Sequence, residues 1–481
     1  MPSVERSELA PGFSIARVLT GLWQVADMER DGRTIDLDAT AAAMTPFVDA
    51  GFTTFDMADH YGSAEDVVGR FGSRPGAPRV ELLTKWVPRP GRVTRAEVRE
   101  AVQRALTRMR REQVDLMQFH AWNYADPSWL DCLLWLDELR QEGLVRHLGL
   151  TNFDTAHLRI VLAAGVPVVS NQVCYSLLDQ RAAGPMTALC LEKGVKLLAF
   201  GTVAGGLLSD RWLGRPDPDV LATWSQMKYR RFVGEAGGWD ALQHLLGVLQ
   251  AHATRLGVSI ANLACRYIME QPAVGGIIVG ARLGEAEHIA DNARLFTFSL
   301  DTAANEGIAE ALRTLRAIPG DCGDEYRKPP YLTASGDLSH HLDAFPTPYD
   351  VQARDQRHLA LSGTAWEGLA GFSRAVLVDG RVLVSGTTAT HRDRVIGAGD
   401  PIAQAHYVID KIEGAVQSLG GRLDDVVRTR VYVRRLEDWE AVARAHGERF
   451  GAIQPANTLV RADLVGDEYL VEIEAEAILR H

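Results

Sequence analysis

The chain has 481 residues, which is more than one ordinary hydrophobic core holds, so two or more domains are expected. Apolar residues make up 46% of the chain and charged residues 23%, and the net charge of −11 argues against nucleic acid as a partner because a phosphate backbone requires a basic surface. The lack of a long apolar run and of an apolar N-terminal leader predicts a cytoplasmic protein that does not cross a membrane, and five scattered cysteines indicate neither a disulfide framework nor a metal site.

From about residue 15 to residue 315, short apolar runs alternate with amphipathic stretches of helical periodicity. The runs span 17–21, 52–56, 80–85, 115–120, 147–152, 168–172, 195–200 and 276–280. Runs that are mostly apolar and do not alternate with polar residues are typical of strands covered on both faces. Eight such units predict a (β/α)8 TIM barrel. The alternative, an open doubly wound sheet, lacks the expected G-x-G-x-x-G after the first strand.

An insertion rich in glycine and proline follows the seventh predicted strand, over residues 203–238. Long loops in compact domains usually serve a function, so its aromatic side chains are candidates to cover a bound ligand. The sequence leaves open the alternative that the insertion packs only its own small core. The aromatic residues are Trp212, Trp224, Tyr229 and Phe232.

Proline and glycine interrupt the periodicity between residues 316 and 349, which predicts a linker between a first domain at 1–315 and a second at 350–481. The tyrosines of this linker and Phe345 indicate order against one of the domains. In the second domain, Asp379-Gly380 between two apolar runs predicts a β-hairpin. Helices over about 401–419 and 436–450 and strands over 426–433, 457–464 and 469–479 complete a β-β-α-β-α-β-β order, which predicts a smaller α+β domain.

Polar residues end three successive predicted strands of the barrel: Asp56, Lys85 and His120, with Tyr61 one short loop after the first. Parallel strands bring their carboxyl ends to one face, where a barrel carries its chemistry. A free phenol has a pKa of ~10 and is a slow acid at neutral pH, so Lys85, held by Asp56, is expected to lower the pKa of Tyr61. His120 is expected to donate to or orient a carbonyl oxygen. The four residues predict a catalytic site that delivers a proton to a nascent alkoxide.

The segments around these residues resemble the aldo-keto reductase family. The matching motifs are Phe-Asp56-Met-Ala-Asp-His-Tyr61-Gly, Leu-Leu-Thr-Lys85, Asp-Leu-Met-Gln-Phe-His120, Gly149-Leu-Thr-Asn-Phe153 and Asn171-Gln172-Val-Cys-Tyr175. They occur in the family's order over residues 12 to about 315. The resemblance implies an NAD(P)H-dependent oxidoreductase that reduces a small aldehyde or ketone to an alcohol.

The resemblance also implies which residues bind the cofactor. Thr151, Asn152 and Gln172 would bind the nicotinamide carboxamide, and Tyr175 would stack on its ring. Small residues in the loop after the seventh strand would wrap the pyrophosphate, and the last βα unit would hold the adenosine end. The residues at the pyrophosphate are Gly201, Gly205 and Leu207, and those at the adenosine end are Gly280, Arg282, His288 and Asn292. Arg282 can pair with a 2′-phosphate, which favours NADPH, whereas His288 replaces a second arginine of many members and keeps NADH as the alternative.

Tryptophans follow the ends of the first, third and fourth predicted strands, at Trp23, Trp86 and Trp122. Together they predict an aromatic rim around the substrate, as ligand pockets commonly have. Such a rim favours flat or apolar carbonyl compounds.

The second domain resembles the Rid (YjgF-type) family of enamine and imine deaminases, through Phe372-Ser-Arg, Val384-Ser-Gly386, Pro455-Ala456 and Val471-Glu-Ile-Glu. The resemblance implies a homotrimer with ligand clefts between subunits. Active members carry an arginine after the Pro-Ala pair to bind a carboxylate; this chain has Asn457 there, and Phe372 where a tyrosine is common. We interpret the second domain as a module for trimerisation or ligand binding. The alternatives are a bifunctional enzyme whose second domain processes a related imine or enamine, and a nucleotide-sensing scaffold without turnover.

Overall fold

The computed structural model describes residues 3–479. It begins with an antiparallel hairpin, β1 (Arg6–Ala10) and β2 (Phe13–Ala16), which the sequence analysis did not predict. Side chains of this hairpin, including Phe13 and Ile15, form an apolar cluster with inward residues of the following barrel, such as Leu19 and Leu198. The hairpin leads directly into the first barrel strand and therefore covers the amino-terminal end of the barrel.

Eight parallel strands then close into a barrel in which the last strand pairs with the first, through Ile277 and Val18. The strands are β3 (Val18–Gly21), β4 (Thr54–Asp56), β5 (Glu81–Trp86), β6 (Val114–Phe119), β7 (Val145–Thr151), β8 (Val168–Cys174), β9 (Lys196–Phe200) and β10 (Val274–Gly280). Each overlaps one of the eight predicted runs. The predicted TIM barrel is confirmed, and closure excludes the open doubly wound sheet.

Helices pack around the barrel. They are α1 (Trp23–Met28), α2 (Leu37–Ala42), α3 (Thr45–Asp49), α4 (Ala64–Gly72), α5 (Arg95–Met109), α6 (Ser128–Gln141), α7 (Thr155–Ala163), α8 (Pro185–Lys193), α9 (Trp224–Ala236), α10 (Trp239–Leu256), α11 (Ile260–Met269), α12 (Ile289–Arg294) and α13 (Thr302–Arg313). The predicted capping box of Thr94 and Glu97 starts α5. No helix within residues 3–479 is long and apolar enough to cross a membrane.

The insertion after the seventh barrel strand combines both predicted alternatives. Phe232 of α9 is buried in an apolar cluster with Leu207 and Leu245, so the insertion has a core. Trp212 and Tyr229 line the main cavity at the barrel mouth. The insertion therefore packs on the barrel and also forms one wall of the cavity.

Residues 316–349, called the connecting segment below, lie across the carboxyl end of the barrel and contain α14 (Asp324–Arg327). Arg327 anchors the segment, since its Nε donates to the carbonyl oxygen of Ala121 at 2.8 Å and its Nη2 to that of Asn152 at 2.7 Å. A Cβ added at Gly336 would lie 2.4 Å from the ring of Trp224, so the segment is closely seated there. The segment is part of the barrel mouth and does more than tether two domains.

The C-terminal domain has helices on one face of a seven-stranded sheet of order β11-β12-β13-β14-β19-β17-β18. Its elements are β11 (Asp350–Arg354), β12 (Arg357–Leu361), α15 (Ala365–Ala370), β13 (Ala375–Val378), β14 (Arg381–Thr388), β15 (Thr390–His391), β16 (Arg394–Val395), α16 (Pro401–Ser418), β17 (Val426–Val433), α17 (Trp439–Phe450), β18 (Ala456–Arg461) and β19 (Val471–Ile478). The predicted hairpin is present, with φ values of 49° and 73° at Asp379 and Gly380. The hairpin of β11 and β12 was not predicted.

Helix α16 packs between its own sheet and the barrel, where it contacts α7. Gly414 allows this approach because an added Cβ would lie 2.3 Å from the carbonyl oxygen of Ala125. At the centre of the contact, His157 of α7 lies between two carboxylates, one from each domain: Nδ1 is 2.6 Å from Asp154 and Nε2 is 3.0 Å from Asp410. The two domains therefore share a buried, charged interface.

Candidate active site

The barrel brings the four predicted catalytic residues together in one cavity of about 660 Å³ at the carboxyl ends of the strands. Asp56 ends β4 and Lys85 lies in β5, and Lys85 Nζ donates to Asp56 Oδ2 at 2.7 Å and to the carbonyl oxygen of Met57 at 2.9 Å. The same nitrogen lies 4.7 Å from the centroid of the Tyr61 ring. His120 directly follows β6 and lines the same cavity.

Two glutamine side chains complete the surroundings of Asp56. Its Oδ1 accepts from Gln172 Nε2 at 2.7 Å and from Gln118 Nε2 at 3.2 Å. Gln172 Nε2 also donates to Gln118 Oε1 at 3.0 Å. Donors therefore surround the buried carboxylate, as a buried charge requires. Gln172, predicted to bind the nicotinamide, lines the cavity but uses its amide nitrogen to hold Asp56.

The expected lowering of the Tyr61 pKa by Lys85 is wrong. Burial raises the pKa of Tyr61 well above its ordinary value, and the negative charge of Asp56 acts in the same direction. Lys85 does not reverse this because its charge is balanced by the carboxylate of Asp56 at hydrogen-bond distance. Tyr61 is a neutral phenol at neutral pH, which is the form that can donate a proton.

His120 is a neutral imidazole. Burial, and secondly the charge of Arg327, holds its pKa well below the ordinary value. Its Nδ1 lies 3.4 Å from the carbonyl oxygen of Thr151, a contact too long to decide which ring nitrogen carries the proton. Its Nε2 is buried without a hydrogen-bond partner among the described residues. This nitrogen is therefore available to an oxygen atom in the cavity.

Three predicted binding residues do not line the cavity that the described residues form. Lys85 points into the barrel, so its neighbour Trp86 points outward and packs on Phe119 with 5.6 Å between ring centroids. Tyr175 is buried in the hydrophobic core, and Leu207 is buried in the core of the insertion. Phe200, at the end of β9, lines the cavity instead, and its position at a strand end was a signal that the sequence analysis did not use.

The remaining predicted residues do line the cavity, which extends from the four catalytic candidates toward α12: Trp23, Trp122, Thr151, Asn152, Gly201, Gly205, Gly280, Arg282, His288 and Asn292. Asn152 has a φ of 60°, and its buried Oδ1 has no hydrogen-bond partner in the part of the chain that is described. Gly201 has a φ of 77°, and an added Cβ would lie 2.2 Å from the Tyr229 hydroxyl. At position 201, therefore, only glycine allows the backbone to adopt this conformation next to the cavity.

Arg282 is held by two carboxylates that the sequence analysis did not associate with it. Its Nη1 donates to Asp27 Oδ2 at 2.8 Å, and its Nε donates to Glu285 Oε2 at 2.7 Å. Asp27 is buried, so this pair fixes the guanidinium at the far end of the cavity. An anionic ligand would compete with these carboxylates for Arg282.

Lys228, Tyr326 and Asp337 also line the cavity, and the sequence analysis did not find them. They belong to the insertion and the connecting segment, outside the repeating βα units. Lys228 Nζ donates to the Tyr326 hydroxyl at 2.7 Å and to Asp337 Oδ2 at 3.2 Å. No periodicity or strand end marks these positions, because their proximity depends on how two irregular segments fold over the barrel.

Comparison with known proteins identifies both domains. A family model described as "Aldo/keto reductase family" matches residues 17–313, more than half of the chain, and one described as "Endoribonuclease L-PSP" matches residues 363–479. Over 349 residues the chain is 23% identical to the aldo-keto reductase YhdN of Bacillus subtilis, which covers 66% of this chain and 96% of the relative. Over 117 residues it is 39% identical to an uncharacterized protein of Streptomyces coelicolor, which covers 24% of this chain and 87% of the relative.

Among solved structures, a glycerol dehydrogenase from Gluconobacter oxydans aligns with a TM-score of 0.54 at 21% identity, over 66% of this chain and 97% of that chain. At this identity the match shows a common fold. The chain therefore belongs to the aldo/keto reductase family, and after its barrel it carries a Rid-type domain of the Endoribonuclease L-PSP family.

Proposed function

We propose that this protein reduces an aldehyde or ketone to an alcohol with NAD(P)H, and that Asp56, Tyr61, Lys85 and His120 are its catalytic residues. The family acts on carbonyl compounds and generally uses NAD(P)H. The observation that carries the proposal is the cavity in which a neutral phenol, a paired ammonium and an imidazole with an unpartnered Nε2 meet.

In this proposal a bound nicotinamide would supply a hydride to the carbonyl carbon. Asn152 and Thr151 would hold its carboxamide, for which the free Oδ1 of Asn152 is suited. In its Nε2–H tautomer, His120 would donate to the carbonyl oxygen. Tyr61 would give its phenolic proton to that oxygen as the alkoxide forms, which completes the alcohol. The ammonium of Lys85, which lies 4.7 Å from the Tyr61 ring centroid, would offset part of the repulsion between Asp56 and the phenolate left behind.

In this scheme Phe200, and not Tyr175, would stack on the nicotinamide ring. It lines the cavity at the end of β9, and its register partner Cys174 belongs to the adjacent strand that also carries Gln172. Its ring can pack against a nicotinamide that Thr151 and Asn152 hold. This packing would select which face of the nicotinamide points to the substrate.

We propose NADPH as the preferred cofactor, with Arg282 as the residue that binds its 2′-phosphate. Replacing Arg282 by alanine is expected to raise the Kd for NADPH by about tenfold to a hundredfold, because a charge-assisted hydrogen bond is lost. The Kd for NADH should change little, since NADH has no phosphate there. Fluorescence titration with both cofactors measures the two values.

Arg294→Ala is a matched control because Arg294 is exposed on α12 and does not line the cavity. It should leave both dissociation constants unchanged. Equal losses for NADPH and NADH in the Arg282 variant would show that Arg282 does not distinguish the cofactors.

We propose that the Rid-type domain forms a homotrimer through the face of its sheet opposite α16. Register places Leu383, Glu476 and Arg428 in one row of this face. Leu383 and Val460 are 40% and 43% exposed, which is high for apolar strand residues. The barrel covers the helical side of the domain, so the open sheet face is the surface left for self-association.

Light scattering on the full chain is expected to give three times the 52.7 kDa chain mass. Leu383→Glu should lower the mass to that of the monomer, because three added carboxylates would meet beside Glu476 at the proposed interface. Leu191→Glu, which changes an exposed leucine of the barrel, should leave the trimer intact. A monomeric wild-type protein would exclude this assembly.

The alternative of a bifunctional enzyme is not favoured by the surroundings of Asn457. Its Nδ2 donates to Thr429 Oγ1 at 2.9 Å and faces His446 of α17. Arg461 lies on the same face of β18 but further along the strand. An amide directed at the helices does not provide the bidentate carboxylate site that an imino-acid deaminase requires.

A further inference from the structure

A second polar cluster, formed by Lys228, Tyr326 and Asp337, borders the same cavity as the proposed catalytic residues. The Tyr326 ring is 5.6 Å from the His120 ring, and Lys228 Nζ is 5.0 Å from the centroid of the Phe200 ring. The charges of Asp337 and Lys228 both act on the pKa of Tyr61. The second polar cluster therefore lies at the end of the cavity where the carbonyl would react.

The cluster is held in place by the connecting segment. Arg327, next to Tyr326, is bound to backbone carbonyl oxygens at the ends of two barrel strands, and Thr333 Oγ1 donates to Asp337. Lys228 is 5% exposed and comes from the opposite wall, the insertion. A ligand between the two walls would meet groups in fixed positions.

The cluster has hydrogen-bonding capacity that the protein does not use up. The ammonium of Lys228 has three protons, and two oxygen atoms of the described chain accept from it. Asp337 has carboxylate lone pairs that can accept from a ligand. Burying the Lys228–Asp337 ion pair carries a desolvation cost. If the cavity bound no polar group here, apolar side chains in these positions would make a more stable wall.

The charges of the cavity select the kind of ligand group. Lys228 is paired with Asp337, and Lys85 is paired with Asp56, so the two pairs are balanced. Because both ammonium groups are already paired, a carboxylate would add a negative charge that neither pair balances, and it has no proton to donate to Asp337. A hydroxyl group can accept from Lys228 and donate to Asp337, which satisfies both.

We propose that Lys228, Tyr326 and Asp337 bind a hydroxyl group adjacent to the reacting carbonyl, so that the enzyme prefers hydroxylated aldehydes and ketones. This inference rests on the proposed reductase function and names its substrate class. It also revises the expectation of a flat or apolar substrate that the tryptophans gave. Trp23 and Trp122 line the cavity, but another side of the cavity is polar.

Three small aldehydes test the proposal with the full-length protein and NADPH: 2-hydroxypropanal, propanal and glyoxylate. The wild type should show a kcat/KM for 2-hydroxypropanal at least about tenfold above that for propanal, with glyoxylate below both. Tyr326→Phe and Asp337→Asn should bring the ratio of hydroxypropanal to propanal close to one.

The ratio is insensitive to the amount of folded enzyme, so a variant that is only less stable would not mimic the result. A wild-type ratio near one, a preference for glyoxylate, or equal losses for both aldehydes in the variants would overturn the proposal. If the protein binds NADPH but reduces none of the aldehydes, the reductase function itself fails. Tryptophan fluorescence titration of the NADP⁺-loaded protein then still decides the hydroxyl site, since 1,2-propanediol should bind better than 1-propanol only where Tyr326 and Asp337 are intact.

Discussion

Replacing Tyr61 by phenylalanine is expected to lower kcat for carbonyl reduction by about a hundredfold to ten-thousandfold, the usual contribution of a general acid. The substitution removes one oxygen atom and keeps the ring that packs on Trp23 at 4.9 Å. NADPH affinity should therefore be nearly unchanged, because the proposed cofactor contacts come from other strands. Single-turnover oxidation of NADPH with an aldehyde measures the chemical step, and fluorescence titration measures the affinity.

Tyr331→Phe is the matched control, since Tyr331 is an exposed tyrosine of the connecting segment. It should retain wild-type kcat. A Tyr61→Phe variant with near wild-type kcat would show that another group protonates the alkoxide. A wild type that binds NADPH without oxidising it in the presence of any carbonyl compound would favour the nucleotide-sensing scaffold.

Replacing Asp410 by asparagine is expected to lower the free energy of unfolding by about 3 kcal/mol or more, because it breaks a buried charge pair and leaves His157 with one carboxylate. The side chains of His157 and Asp410 are 4% and 2% exposed, so water cannot take the place of the lost carboxylate. Arg449 loses the same partner, which it contacts at 2.6 Å. Urea unfolding followed by fluorescence measures the change.

Asp400→Asn provides the matched control at the edge of the same interface. Its carboxylate pairs with Arg159 at 3.0 Å, where both side chains are more than 20% exposed, and asparagine also serves as an N-cap for α16. The expected loss is below about 1 kcal/mol. Equal losses of unfolding free energy in the Asp410 and Asp400 variants would show that the His157–Asp410 pair stabilises the protein no more than the pair at the edge of the interface.

The same interface predicts how stability depends on pH. Burial alone lowers the pKa of His157, but the carboxylates of Asp154 and Asp410 outweigh it and raise the pKa above the ordinary value. Its contribution is therefore complete below pH ~6.5 and is lost as the pH rises through the folded-state pKa. Burial alone raises the pKa of both carboxylates, yet His157 holds them below the ordinary value, so their contribution is present above pH ~4 and is lost in stronger acid. Asp410→Asn should flatten the decline on the alkaline side.

The amino-acid sequence by itself determined the barrel, the order of the C-terminal elements and the candidate catalytic residues Asp56, Lys85 and His120. Buried parallel strands are continuous apolar runs, and each run ends where a polar residue can face the cavity. These features depend on residues that are neighbours along the chain, so they can be predicted without the structure. The Asp379-Gly380 hairpin is of the same kind, since a tight turn is a local property.

Only the tertiary structure decided which side chains share the cavity and what their charges do. Tyr175 and Trp86 have suitable residue types but are buried in the hydrophobic core outside the cavity, and Phe200 lines the cavity where Tyr175 was expected. The pKa of Tyr61 is raised because burial and Asp56 act on it more strongly than Lys85 does, a balance that depends on distances and on desolvation.

The second polar cluster and the His157 interface have the same origin. Lys228 is 98 residues from Tyr326, and His157 is 253 residues from Asp410, so no periodicity of the sequence connects them. Such pairs form where irregular segments and separate domains meet, and their energies depend on how completely water is excluded there.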